Sequence, residues 1–229
     1  MFFNPTYWLY MAPGLLLVMF TSWYVKSAYK KWSRVPASSR MNGNQAAQRL
    51  INAGGLYDVQ IEGVRGEMTD HYDPRSKTLR LSQGVAQGAS VASLAIAAHE
   101  LGHAQQDAEG YFPLQVRSAM VPMVNIGSNL GWILIMAGLI LNWINVAWLG
   151  VAFFAGGALF ALMTLPVEFN ASARAKRLLS ETGIIQTEEE RRGVNNVLNA
   201  AALTYVAALV TSLLQLFYYA SLLTGRRRR

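Results

Sequence analysis

His99, Glu100 and His103 are the residues of this 229-residue chain whose types and spacing point most directly to chemistry. On an α-helix, two histidines four residues apart project from one face, one turn above the other, so both imidazoles can reach one metal ion. Glu100 falls between them. Its carboxylate would lie beside such an ion rather than on it, which suits a base that takes a proton from an activated water. The surrounding run, SVASLAIAAHELGHAQQ, supplies Ala92, Ala95, Ala97, Ala98 and Ala104, strong helix formers small enough to be buried without crowding a metal. Gly102 costs roughly 1 kcal/mol against Ala in a helix interior, and a close approach by another backbone would account for it. The chain has no cysteine, so disulfides and thiolate ligands are excluded and a metal site must use histidine and carboxylate.

The rest of the chain must position this pair, and most of it is apolar. Apolar residues make up 52% and charged residues 14% of the sequence, against roughly 25% charged in soluble domains. No charge occurs in residues 1–25, 118–167 or 193–225. About twenty apolar residues in a helix cross a ~30 Å hydrocarbon core, so these blocks predict about four transmembrane helices. The net charge of +7 is not read as a nucleic-acid footprint, because the basic residues flank the apolar blocks as topology determinants do.

Residues 5–25 predict a retained anchor and not a signal peptide. A basic n-region is missing, and Trp8, Tyr10, Trp23 and Tyr24 mark both interfaces. Pro13 is a candidate kink. Lys26, Lys30, Lys31, Arg34 and Arg40 come directly after, which by the positive-inside rule keeps this side cytoplasmic and the N-terminus outside. Two spans fit residues 118–165, turning at Asn142, Trp143 and Asn145. Gly127, Gly131 and Gly138 in the first and Gly150, Gly156 and Gly157 in the second permit close helix packing. The last apolar run, 197–223, continues a helix opened by a capping box, with Thr187 as N-cap and Glu190 reaching back. A fourth crossing would place Arg226 to Arg229 outside, against the charge rule, so either this helix does not fully cross or the earlier basic loops dominate.

Between the spans, residues 41–55 read as a short helix with Ala46, Ala47, Leu50 and Ile51 on its apolar face and Gly54 and Gly55 as its stop. Val59, Ile61 and Val64 then alternate with polar residues, and a polar turn over 69–76 leads to the strand 77–82, which predicts a two-stranded hairpin with a long connection. Ser82 or Ser90 is the candidate N-cap for the helical stretch after this strand, and Gly84 and Gly88 mark a break before the metal helix. His71, in the polar turn, is a second catalytic candidate. The strand 77–82 carries charges in the manner of a protected edge, so Thr78, Leu79 and Arg80 are candidates for binding substrate through the main chain. The other reading is that this strand merely pairs with 59–64 to cover the helix. The second span is expected to end at Leu165 and Pro166, with a separate short helix over 171–181 stopped by Gly183. Glu168, the first charge after that span, is where a third metal ligand could come from.

Taken together, residues 70–74, 79–82, 97–106 and 166–172 resemble the YugP-type membrane zinc metallopeptidases of bacteria over nearly the whole chain. More distantly the chain is similar to the HtpX and CAAX-prenyl endopeptidase group. That resemblance makes Glu168 the third zinc ligand. It places Ser172 where the distant relatives have Asp, and Asn170 where the nearer ones usually have Asp, both beside the ligands. The expected fold is a mainly α membrane protein with a small α+β zincin-like cytoplasmic domain, a short hairpin plus the HExxH helix. Its parts are an anchor (1–25), a cytoplasmic peptidase segment (26–117), two spans (118–165), a cytoplasmic segment bearing Glu168 (166–192), a last span (193–225) and a basic tail (226–229). The expected activity is gluzincin-type endopeptidase, with one zinc per chain and Glu100 as general base, acting on a peptide, unfolded or membrane protein at the cytoplasmic face of the bacterial inner membrane. The alternatives are a catalytically silent membrane scaffold or regulator, and a zinc hydrolase of a non-peptide, lipid-linked substrate. The partners are substrate and bilayer, with no nucleic acid; the residues leave the oligomeric state unknown.

Overall fold

A computed structural model of the chain describes residues 5–227. The backbone is mainly helical, with one small sheet: α1 (Pro5–Trp32), α2 (Gly43–Gly54), β1 (Gln60–Val64), β2 (His71–Asp73), β3 (Thr78–Ser82), α3 (Gln83–Gln87), α4 (Val91–Ala108), α5 (Phe112–Ile140), α6 (Ile144–Glu181) and α7 (Glu188–Arg227). Four of these helices, α1, α5, α6 and α7, are long and apolar enough to cross a membrane. Residues 1–4 of the expected anchor and residues 228 and 229 of the basic tail lie outside the described residues. The chain divides into two compact units.

The first unit comprises Met1–Ser22, Gln115–Leu165 and Thr204–Arg229. Its exterior suits hydrocarbon better than water: Leu16, Met19, Ile126, Ile133, Leu159 and Leu162 are all exposed. Inside it, α5 and α6 pack backbone to backbone. A Cβ added at Gly131 would stand 2.9 Å from the Gly150 carbonyl oxygen, and one at Gly150 would stand 2.6 Å from that of Gly131. Gly127 and Gly157 make only ordinary contacts and Gly156 meets nothing, so the close approach is confined to the half nearer the turn. Edge-to-face aromatic pairs add to the packing, with Tyr7 5.3 Å from Tyr218 and Phe154 5.3 Å from Tyr219. Pro13 sits inside α1 without ending it.

The second unit comprises Trp23–Leu114 and Pro166–Leu203. Its core joins Leu50 and Ile51 of α2, Leu79 and Leu81 of β3, the alanines of α4, Leu178 and Leu179 of α6, and Val194 and Leu198 of α7. The caps are local. Asn42 and Gln45 exchange hydrogen bonds at the start of α2, and the Ser90 hydroxyl accepts from the Ser93 N–H at the start of α4. Ser82 precedes α3 without capping it, because its hydroxyl donates to Asp70 instead.

The expected two-stranded hairpin is replaced by a three-stranded sheet in the order β1-β3-β2, with β1 parallel to β3 and β2 antiparallel to it. After β1 the chain crosses to the far side of β3, and only the tight turn between β2 and β3 is a hairpin. Asp73 builds that turn by accepting from the Arg75 N–H and the Ser76 hydroxyl, and Lys77 closes it in the left-handed region at φ 48°. His71 is therefore a strand residue, and β3 is the central strand, not an edge. Its Thr78 and Leu79 are buried, and Arg80 forms ion pairs with Glu62 on one side and Asp73 on the other. The Arg80 guanidinium, the Ser76 hydroxyl and the Arg75 N–H hold the Asp73 carboxyl down to about 2. The charges on this strand thus serve pairing across the sheet.

The expected break at Pro166 is also absent: α6 runs unbroken through it to Glu181, with Gly183 at φ 63° after the helix. A single proline removes one backbone donor, and the burial of Val167, Ala171, Ala175, Leu178 and Leu179 offsets that loss.

Glu190 does more than close the capping box expected at Thr187. Its side chain accepts from the N–H groups of Ser38, Gln186 and Thr187, which ties the segment after α1 to the start of α7. Burial raises its pKa, but these N–H donors and the Thr187 hydroxyl outweigh that and leave it below the ordinary glutamate range. A depressed carboxyl contributes stability above its unfolded pKa, and the contribution is lost as pH falls through the folded one. Glu190→Gln should therefore cost about 2 kcal/mol near neutrality. In paired thermal melts, the gap between wild type and variant should narrow steadily from pH 6 to pH 3; a constant gap refutes the assignment.

Candidate metal centre

The small residues of α4 decide where the site forms. Ala97, Ala98, Leu101 and Ala104 are buried, and Gly102 lets α6 approach so closely that a Cβ there would lie 2.5 Å from the Ala171 carbonyl oxygen. This contact accounts for the glycine inferred from sequence to need a close neighbour. It also brings Glu168, three residues before Ala171 on α6, against the histidine face of α4. The two imidazole rings lie 4.9 Å apart. Glu168 Oε2 is 3.3 Å from His99 Nε2 and 3.6 Å from His103 Nε2. One ligand atom from each of the three residues falls within 4.8 Å of the others.

The donor set fits a zinc ion. Four-coordinate zinc with bonds of ~2.1 Å sets its ligand atoms roughly 3.4 Å apart, close to the separations found. Glu168 is only 2% exposed, and a buried carboxylate requires a cation or strong donors. The other ring nitrogens are engaged: Ser172 Oγ lies 3.2 Å from His99 Nδ1, and Gln106 Oε1 lies 3.0 Å from His103 Nδ1. Nε2 of each ring is thereby turned towards Glu168.

Glu100 lies alongside. Burial pushes its carboxyl above the ordinary range, against the pull of His99 and His103, and its Oε2 accepts the Tyr72 N–H at 3.2 Å. For His103, burial alone would lower the pKa, but the Glu168 and Glu100 carboxylates outweigh it and the net shift is upward. The Tyr72 hydroxyl donates to Asp107 at 2.9 Å. Burial and that carboxylate hold the phenol well above its usual pKa, so it stays a donor.

A protein-family profile described as "Putative neutral zinc metallopeptidase" matches residues 7–224. The chain belongs to this zinc metallopeptidase family. It is also 44% identical over 214 residues to the "Putative membrane protease YugP" of Bacillus subtilis (strain 168), covering 93% of this chain and 95% of that protein. No solved structure matches.

The structure brings together His99, Glu100, His103, Glu168 and Ser172. Asn170 stands one step back, its Oδ1 accepting from Gln106 Nε2 and Arg174 Nε. The structure does not bring the other expected residues into this group. Because Tyr72 points to Asp107 on α4, its strand neighbours His71 and Asp73 face the opposite side of the sheet. The exposed His71 donates from Nδ1 to the Thr69 carbonyl at 2.8 Å. Thr78, Leu79 and Arg80 belong to the central strand. Sequence reasoning missed Gln106 and the Tyr72 main chain. Gln106 was findable, because it lies three residues after His103 and therefore on the same helix face. The Tyr72 contact was not, because it depends on β2 crossing to the far side of β3.

Proposed function

We propose that this metallopeptidase is a membrane-anchored, gluzincin-type endopeptidase that hydrolyses peptide bonds with one zinc per chain. The observation that carries the reading is the convergence of His99, His103 and Glu168 beside the half-buried Glu100. These three would hold the ion. When bound, zinc supplies a Lewis acid that lowers the pKa of a water from ~15.7 towards ~7. Glu100 takes the proton of the attacking water and later delivers it to the departing amine. The Tyr72 N–H holds Glu100 Oε2 in place. An extended peptide lies along the outer edge of β2, where the Tyr72 N–H is held by Glu100 and the peptide's own N–H groups donate to the β2 main chain. That mode favours unfolded or extended segments and tolerates varied side chains.

The test is hydrolysis of unfolded casein by the purified full-length protein. A chelator should abolish cleavage and stoichiometric zinc should restore it. Zinc-loaded protein that cleaves nothing would favour the scaffold reading.

The charge distribution further supports a multi-pass protein of the bacterial cytoplasmic membrane with its site facing the cytoplasm. In a chain without native cysteine, Ser38→Cys and Ser180→Cys, at exposed positions, should react only from the cytoplasmic side, and Asn142→Cys only from outside. Labelling of Ser38→Cys in intact cells by an impermeant reagent would reverse the orientation.

A further inference from the structure

We infer that Gln106 is the positioning residue that fixes the tautomer of His103 and locks the two ligand-bearing helices together, an inference that rests on the metal-site reading above. Gln106 is completely buried, and all its polar atoms are committed. Its Nε2 donates to the Val167 carbonyl at 2.8 Å and to Asn170 Oδ1 at 2.9 Å, and its Oε1 lies 3.0 Å from His103 Nδ1. A backbone carbonyl can only accept, so the amide must present its NH₂ group to Val167. The oxygen must then face the imidazole. Because that oxygen also only accepts, His103 Nδ1 has to carry the hydrogen. The neutral ring is left with its lone pair on Nε2, the nitrogen 3.6 Å from Glu168 Oε2.

The orientation is secured further out. Asn170 Oδ1 also accepts from Arg174 Nε at 2.7 Å, and the same guanidinium makes two bonds to Glu109, at 2.6 and 2.7 Å. Val167 and Asn170 flank Glu168 on α6, whereas Gln106 and His103 are on α4. One amide thus sets the metal-facing nitrogen of one ligand and the placement of the segment that carries another. His99 lacks this control: its Nδ1 faces the Ser172 hydroxyl, which can donate or accept and so does not choose between tautomers. The site is asymmetric, with His103 prepared in advance and His99 free to adjust.

The experiment uses metal-free, full-length protein with ¹⁵N-labelled histidine. Only three histidines are present, and His71→Gln and His99→Gln variants assign the signals. At a pH high enough to leave the ring neutral, wild-type His103 should show a single tautomer with the proton on Nδ1; a neutral ring protonated on Nε2 instead overturns the inference without any variant. Gln106→Leu should give mixed tautomers and bind zinc about 10–100-fold more weakly in competition with a chromophoric chelator. Gln106→Glu keeps an acceptor for Nδ1 but loses the donors to Val167 and Asn170. It should regain zinc affinity to within a few-fold of wild type while melting as low as the Leu variant. Were Gln106 merely packing, stability alone would fall, and zinc affinity unchanged in the Leu variant overturns the proposal. Wild-type protein that binds no zinc refutes the metal-site reading instead, and the tautomer measurement stands apart from it.

Discussion

Glu100→Gln is expected to keep the fold and bind one zinc per chain while kcat falls by about 10²–10⁴-fold, the range contributed by a positioned general base. The substitution changes almost no volume. The Gln carbonyl oxygen can still accept the Tyr72 N–H that Glu100 Oε2 accepts now, so the local hydrogen bond survives. The capacity to take a proton is lost. Because Glu100 is placed beside the three ligand atoms and is not one of them, metal affinity should change little. KM should also be nearly unchanged, since peptide held by main-chain bonds does not depend on this carboxylate. The measurement is zinc content by mass spectrometry together with casein hydrolysis under saturating substrate. A metal-loaded variant that retains full turnover removes Glu100 from the mechanism.

Gly102→Val should be strongly disruptive to the candidate metal site. A Cβ at this position would stand 2.5 Å from the Ala171 carbonyl oxygen and 3.1 Å from the Ala171 Cα, and neither backbone atom can rotate away. Overpacking of a well-filled core costs about 1–3 kcal/mol, and the strain falls on the contact that sets Glu168 against the two imidazoles. Separating α4 from α6 by even ~1 Å removes the carboxylate from bonding range of an ion held by His99 and His103. Zinc affinity should therefore fall by more than about 10²-fold, as expected when a direct ligand is displaced instead of one of its supporting partners. Gly102→Ala offers a graded comparison, because alanine gains roughly 1 kcal/mol of helix propensity over glycine against a smaller clash. Equilibrium zinc competition on both variants, with circular dichroism as the folding control, reads the effect. Tight zinc binding by the Val variant would show that the helix contact does not govern the site.

The histidine pair of the candidate metal site was legible in sequence because helical spacing alone fixes the shared face of His99 and His103, and a glycine inside an alanine-rich helix points to a close neighbour. The long uncharged blocks likewise declare their helices by length. Sheet order was not legible. β2 carries one apolar residue, Tyr72, between two polar ones, so its alternation is too short to separate from a turn, and nothing local records that β1 and β3 run parallel. The end of the second span is obscured for a related reason: Pro166 is a strong local signal for a break, whereas the burial of Ala171, Ala175 and Leu179 that carries the helix past it is a tertiary effect. That continuity lets one helix deliver Glu168, Val167, Asn170 and Ser172 to the candidate site at once.

The spacing of the donors along the chain has a temporal consequence. His99 and His103 emerge from the ribosome well before Glu168, with α5 and the first half of α6 still to be made. At about 5–20 residues per second, the nascent protein spends several seconds with two imidazoles and without Glu168, the third candidate ligand. A chain that stalls or is cut before α6 has no complete set of donors. The complete donor set therefore arrives late in synthesis, after two apolar helices have been produced, and under the proposed function an incomplete copy would be disarmed by its own connectivity.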